Sequence, residues 1–235
     1  MKILVLGGSG GIGFAILRCL LHEYPDAEIV ATYNTHPLAF QHSKLKWLKL
    51  NVSEEQEIEK LSNEIGPLDI LVNAAGFLHS SSNKPEKTIK EFDSSFFQKN
   101  ISSNTLPSML LAKHFMGSLR SGNKTFFIVL SAKVGSISDN RAGGWLSYRA
   151  SKSALNMAIK TISIEWKRKL PNCCVLLFHP GTTDTKLSKP FQKNLPDGQL
   201  HSPEVTAKAL LDLIKRSGPS DSGKFISFDG TEIDW

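Results

Sequence analysis

Tyr148 and Lys152 stand four residues apart in the stretch Gly143-Gly144-Trp145-Leu146-Ser147-Tyr148-Arg149-Ala150-Ser151-Lys152. The surrounding pattern predicts a helix, so this spacing brings both side chains to one face. A phenol titrates near ~10 and is ordinarily a poor acid or base at neutral pH. A neighbouring ammonium favours the phenolate and lowers its pKa. The pair is therefore equipped to exchange a proton with a substrate oxygen. The spacing alone is weak evidence, because a surface lysine lying over a packed tyrosine satisfies it equally well.

Elements able to position such a pair are legible along the whole chain. Short apolar runs at Lys2–Leu6, Ala27–Tyr33, Lys46–Leu50, Leu68–Val72, Thr125–Leu130, Cys173–Phe178 and Lys224–Phe228 predict strands covered on both faces. Helices are expected at Ile12–His22, Glu54–Ile65, Phe92–Leu119, Tyr148–Lys169 and Pro203–Lys215. This alternation predicts an α/β fold: a single-domain, doubly wound Rossmann sheet over residues 1–235. About seven parallel strands are expected in the order 3-2-1-4-5-6-7, with helices on both faces. Two irregular stretches, 77–90 and 182–202, follow strands on the side where such sheets bind ligands, and are expected to form the substrate loops.

The first strand runs into Gly7-Gly8-Ser9-Gly10-Gly11-Ile12-Gly13, which opens the first helix. Glycines there allow a tight turn and let backbone N–H groups reach a pyrophosphate at the helix N-terminus. Gly7, Ser9, Gly10, Gly11, Ile12 and Gly13 are thus expected to cradle a dinucleotide. The second strand ends in Tyr33-Asn34-Thr35 with no carboxylate to bind a ribose 2′-hydroxyl or repel a 2′-phosphate. That chemistry favours NADP(H) over NAD(H), with Tyr33 and Asn34 as neutral partners.

Composition sets the outer bounds. Among 235 residues, 40% are apolar and 21% charged, and no apolar run reaches the length of a membrane span. The net charge of +6 is spread out, apart from Lys167-Arg168-Lys169 at a helix end, so neither a nucleic-acid partner nor a membrane partner is expected. Three cysteines without metal-ligand spacing point to a reduced, cytoplasmic setting and no metal site.

The glycine loop, Asn73-Ala74-Ala75-Gly76 after the fourth strand, Tyr148 to Lys152, and Pro180-Gly181 after the sixth strand occur together and in this order. In this the chain resembles the short-chain dehydrogenase/reductase family over essentially its full length. Residues 134–145 and 228–235 carry a closer likeness to its C-factor and sniffer-type carbonyl reductases. The resemblance implies a hydride-transfer site acting on a small carbonyl or alcohol. Tyr148 would be the acid or base, Lys152 its electrostatic partner and a ribose ligand, and Asn104 a holder of the proton relay. Asn51, Val52, Asn73, Ala74, Ala75 and Gly76 would line the cofactor crevice. Pro180, Gly181, Thr182 and Thr185 would reach the nicotinamide end. The family also pairs its long helices between subunits, which implies a homodimer or homotetramer.

One departure stands out against that family pattern. Its catalytic serine precedes a glycine by three residues, and here the stretch Ser131-Ala132-Lys133-Val134-Gly135 puts Ala132 there. Ser131 is the expected substitute, with Ser136 and Ser138 as further candidates. Removing such a polarising donor typically costs ~10²–10³ in rate. The departure keeps open a second reading, a dinucleotide-binding regulatory or signalling protein with little turnover. His79 and His179 read as a loop histidine and a backbone-bonded strand-end histidine. Trp145 fits either the substrate mouth or a subunit contact.

Overall fold

Strand β1 (Lys2–Leu6) is followed by α1 (Gly11–Glu23), β2 (Glu28–Tyr33), β3 (Leu45–Lys49), α2 (Glu55–Ile65) and β4 (Ile70–Asn73). The second half comprises α3 (Ser94–Asn104), α4 (Leu106–Phe115), β5 (Thr125–Leu130), α5 (Leu146–Lys169) and β6 (Cys173–His179). The short strands β7 (Thr182–Thr183) and β8 (Leu200–His201), helix α6 (Pro203–Arg216) and β9 (Lys224–Ser227) complete it. The computed structural model describes residues 1–193 and 195–235; Asn194, inside the second expected loop, lies outside the described residues.

Seven parallel strands form one sheet in the order β3-β2-β1-β4-β5-β6-β9, which is the expected winding with β9 as seventh strand. Alternate residues of each strand enter opposite cores. Leu4, Leu6, Leu71, Phe127 and Leu177 pack against α2, α4 and α5. Ile3, Val5, Val72, Ile128 and Leu176 pack against α1 and α6. The central strands are apolar on both faces because helices cover both faces, whereas the edge strand β3 leaves Lys46 and Lys49 exposed. Strand order reverses between β1 and β4, and a crevice opens at the carboxyl ends of these strands.

The expected helix Phe92–Leu119 is two helices. Asp93 caps α3 by accepting a hydrogen bond from the Phe96 N–H at 2.6 Å. The chain then breaks at Thr105 (φ −103°, ψ −56°). Pro107 causes the break, since it has no N–H for the Ser103 carbonyl and its ring crowds that group. The loop expected over 182–202 is tied by the parallel pairing of β7 with β8.

Candidate active site

The cradle after β1 is shaped by close backbone approach. Gly7 adopts φ +70°, and a Cβ on Gly13 would lie 2.1 Å from the Gly7 carbonyl oxygen. Gly10 precedes α1 with no side-chain cap, so the first N–H groups of the helix stay free to meet an anion.

Two adjoining cavities run along the crevice. The outer one, about 460 Å³, is lined by Gly7, Ser9, Gly10, Tyr33, Asn34, Asn51, Val52, Ala74, Ala75 and Gly76, with Lys99 at its side. The inner one, about 540 Å³, is lined by Gly11, Ile12, Gly13, Tyr148, Lys152, Pro180 and Thr185. Ser9, Gly10 and Ala74 to Gly76 border both. A glycine cradle at a helix start, neutral donors at the end of β2, and a buried lysine at the far end fit a nicotinamide dinucleotide. Asn73 is placed differently from its expected lining role. Its amide donates to Ser108 Oγ at 2.8 Å and its carbonyl oxygen accepts from the Ala75 N–H at 3.1 Å, so it shapes the loop from behind.

Tyr148 and Lys152 share a buried face of α5, with Lys152 Nζ 5.8 Å from the Tyr148 ring centroid. The ammonium donates to the Leu130 carbonyl at 3.1 Å. Burial pushes the Tyr148 phenol up, against the lowering expected from the nearby lysine. Burial also brings Lys152 down to about 8. Desolvation disfavours both charged forms, and here it outweighs their attraction.

Asn104 ends α3 at the helix break. Its amide donates to the Phe77 carbonyl at 2.8 Å and to Ser151 Oγ at 3.0 Å, while its Oδ1 accepts from the Phe77 N–H at 2.7 Å. Ser151 Oγ in turn donates to the Tyr148 carbonyl at 2.8 Å. Asn104 therefore joins the loop after β4 to the turn of α5 that carries Tyr148.

Beyond Tyr148 lies a third chamber of about 200 Å³, lined by Leu78, Ala132, Trp145, Phe191 and Leu195 among others. Gly181 and Thr182 face this chamber rather than the inner crevice. The Trp145 ring packs edge-on against Phe191 at 4.9 Å and Tyr148 at 6.3 Å, so it forms part of the chamber wall. His79 closes over the same wall: its ring meets Phe191 at 5.5 Å and its Nε2 lies 3.1 Å from the Leu187 carbonyl. The two expected substrate loops thus meet across the chamber.

Ala132 lines that chamber where the family pattern places a serine. Ser131 also lines it, but its buried hydroxyl donates to Asn156 Oδ1 at 2.6 Å. A hydroxyl has one proton to donate, and this one is committed. Ser136 and Ser138 bond each other at 3.2 Å, and neither is among the described residues that line the chamber. His179 accepts the Lys133 N–H on Nδ1 at 3.2 Å, and burial lowers its pKa to about 4, so it is neutral and backbone-bonded.

Sequence reasoning missed Lys99, Phe191 and Glu86. Lys99 and Phe191 lie on elements whose sequence carries no ligand-binding signature. Glu86, inside a polar loop, is buried at 3% exposure.

The family model for short chain dehydrogenase matches residues 1–196. An uncharacterised oxidoreductase of Saccharomyces cerevisiae is 28% identical, with 97% of this chain and 95% of the relative covered. The C-signal protein of Myxococcus xanthus is 28% identical, over 72% of this chain and 94% of its own length. The Drosophila melanogaster carbonyl reductase Sniffer has the same fold, with a TM-score of 0.87 at 24% identity, covering 100% of this chain and 99% of that one. The NADPH-bound carbonyl reductase from chicken fatty liver gives a TM-score of 0.85 at 24% identity, covering 100% and 98%. The chain belongs to the short-chain dehydrogenase family, and so to a class of NAD(P)-dependent oxidoreductases.

Proposed function

We propose that this protein is a carbonyl reductase or alcohol dehydrogenase acting on a small substrate held in the Trp145–Phe191 chamber, with NADP(H) preferred. The observation that carries this reading is the place of Tyr148. It borders both the inner crevice and the substrate chamber. The nicotinamide, when bound, supplies or accepts the hydride.

Gly7 to Gly13, Asn51, Val52 and Ala74 to Gly76 would hold the dinucleotide, with Pro180 and Thr185 lining the inner cavity. Lys152, which lines the inner cavity with Tyr148, would offer its ammonium to a ribose hydroxyl of the bound dinucleotide. Tyr148 gives its phenolic proton to the carbonyl oxygen in reduction and takes it back in oxidation. The raised phenol pKa keeps that proton in place at neutral pH. Asn104 keeps the loop of Phe77 and the Tyr148 turn in register. A polarising role for Ser131 requires its hydroxyl to leave Asn156, so here Tyr148 carries the carbonyl hydrogen bond.

The end of β2, Tyr33-Asn34 without a carboxylate, supports NADP(H), and Lys99 adds a cation to the same cavity. The exposed Met109 on α4 and Met157 and Ile164 on α5 support pairing of subunits through these helices. Three free cysteines are consistent with a reducing, cytoplasmic setting. A second reading, a dinucleotide-binding signalling protein, is favoured by Ala132 together with the committed Ser131 donor.

The test is turnover of NADPH or NADH with a panel of aldehydes, ketones and quinones. Wild type is expected to oxidise NADPH, and Tyr148→Phe to lose at least about 10²-fold in kcat. Undiminished turnover in Tyr148→Phe would overturn the mechanism. Tight NADPH binding without turnover on any substrate would favour the signalling reading.

A further inference from the structure

Glu86 lies in the loop after β4, far in sequence from α5, yet its carboxylate is built into the start of that helix. Its Oε2 accepts the Ser147 N–H at 3.2 Å and its Oε1 accepts the Ser147 hydroxyl. Its backbone carbonyl accepts the Trp145 N–H at 2.5 Å. Among the described residues no Lys, Arg or His forms an ion pair with it. Burying a carboxylate is costly unless it is hydrogen-bonded, and here its partners are the backbone N–H and hydroxyl of Ser147 at a helix start.

The backbone it grips is strained. Gly143 and Gly144 have φ of +64° and +65°, and Trp145 follows at φ +53°, the one non-glycine residue with positive φ among those described. A bulky side chain in the left-handed region persists only when its surroundings hold it there. Held so, the indole rests against Phe191 and Tyr148 in the wall of the substrate chamber.

We propose that Glu86 is a positioning residue for the active site: its carboxylate holds Ser147 in the first turn of α5, and so keeps the adjoining Trp145, the chamber wall and Tyr148 in fixed places relative to each other. It lines none of the three cavities and acts through Ser147 on α5 and Trp145 just before that helix. The clamp also ties the first substrate loop to the catalytic helix. The inference rests on the oxidoreductase reading for its kinetic consequence, but not for its structural one.

Three variants and two readouts test it. Glu86→Ala removes both acceptors of the side chain. Glu86→Gln keeps the shape: its carbonyl accepts the Ser147 N–H, and its amide donates to the Ser147 hydroxyl. Ser147→Ala removes only the hydroxyl bond. The first readout is the emission of Trp145, isolated by subtracting the spectrum of the matching Trp145→Phe protein. The second is kcat and KM for carbonyl reduction.

Glu86→Ala is expected to red-shift the Trp145 emission as the indole leaves Phe191. It should lower kcat/KM at least about tenfold, with KM rising as well as kcat falling, because a small misplacement of reacting groups is costly. Glu86→Gln should restore both to within about threefold of wild type. Ser147→Ala should lie between them. If Glu86→Ala does not fold, the shift in Ser147→Ala decides. Unchanged Trp145 emission in Glu86→Ala, or in Ser147→Ala under that condition, would overturn the clamp. So would a loss that Glu86→Gln fails to restore. Absence of turnover in every protein, with the emission shifts as expected, would sink the oxidoreductase reading and leave the clamp standing.

Discussion

Ser131 Oγ donates its proton to Asn156 Oδ1 across 2.6 Å, one helical turn beyond Lys152 on the face of α5 that also carries Tyr148. Asn156 Nδ2 is buried and has no partner among the described residues. The amide therefore depends on Ser131 for its side-chain hydrogen bonding. The serine nearest the place of the family's carbonyl-polarising donor serves the helix instead.

Ser131→Ala should accordingly act on stability more than on rate. Leaving Asn156 Oδ1 buried and unpaired should cost about 1–3 kcal/mol of unfolding free energy, read by denaturant melts. The kcat for carbonyl reduction should fall less than about tenfold, against the ~10²–10³ typical of a lost polarising donor. A hundredfold fall in kcat would show that the hydroxyl turns to the substrate during turnover.

The strand order was legible because every central strand is apolar on both faces and the glycine loop marks the first crossover. The helix break at Thr105 had a signal, Pro107, that the continuous apolar periodicity of Phe92–Leu119 obscured. Asn156 was also findable, since Tyr148, Lys152 and Asn156 repeat every four residues along one helical face. Glu86 was not. Its burial arises from a loop meeting a helix start 61 residues away, and nothing local marks a polar-loop carboxylate as buried. The upward push on the Tyr148 phenol was not legible for a related reason. Charge proximity is visible in a sequence, whereas the desolvation that outweighs it exists only after packing.

Gly13→Ala tests the cradle. The added Cβ would stand 2.1 Å from the Gly7 carbonyl oxygen, a backbone atom with no freedom to swing aside. Overpacking of this kind costs about 1–3 kcal/mol and displaces the loop that meets the phosphates. NADPH affinity, titrated by fluorescence, should fall at least about tenfold. Gly122→Ala, where a Cβ meets nothing within 4 Å, is the control and should bind as wild type does.

Carbonyl reduction should lose efficiency as pH rises through the Lys152 titration. With that pKa brought down to about 8, the ammonium is mostly present at neutral pH and mostly absent by about pH 9. Tyr148, pushed upward, keeps its proton across the same range. A plot of kcat/KM against pH should show a falling limb near 8. Lys152→Arg, whose charge does not titrate there, should show residual activity without that limb.

The same lysine should leave a mark on stability that needs no substrate. Its folded pKa of about 8 lies below the ordinary 10.5, so between these values the unfolded chain holds the proton that the folded chain has released. The unfolded state then binds more protons, and the Lys152 contribution to stability rises with pH through that window. Other buried groups oppose it. Cys173 and Cys174, pushed up by burial to about 11 and about 12, keep their protons when folded while unfolded thiols lose theirs, so their contribution falls as pH rises. Tyr148 acts in the same sense above about pH 10. The quantity to measure is therefore the difference in unfolding free energy between wild type and Lys152→Met, in which the cysteine and tyrosine contributions cancel. Wild type should gain on the variant steadily from about pH 8 to about pH 10, read by urea melts at closely spaced pH. A flat difference across that range would mean that Lys152 keeps its ordinary pKa in the folded protein, and the falling limb expected in the rate profile would lose its source.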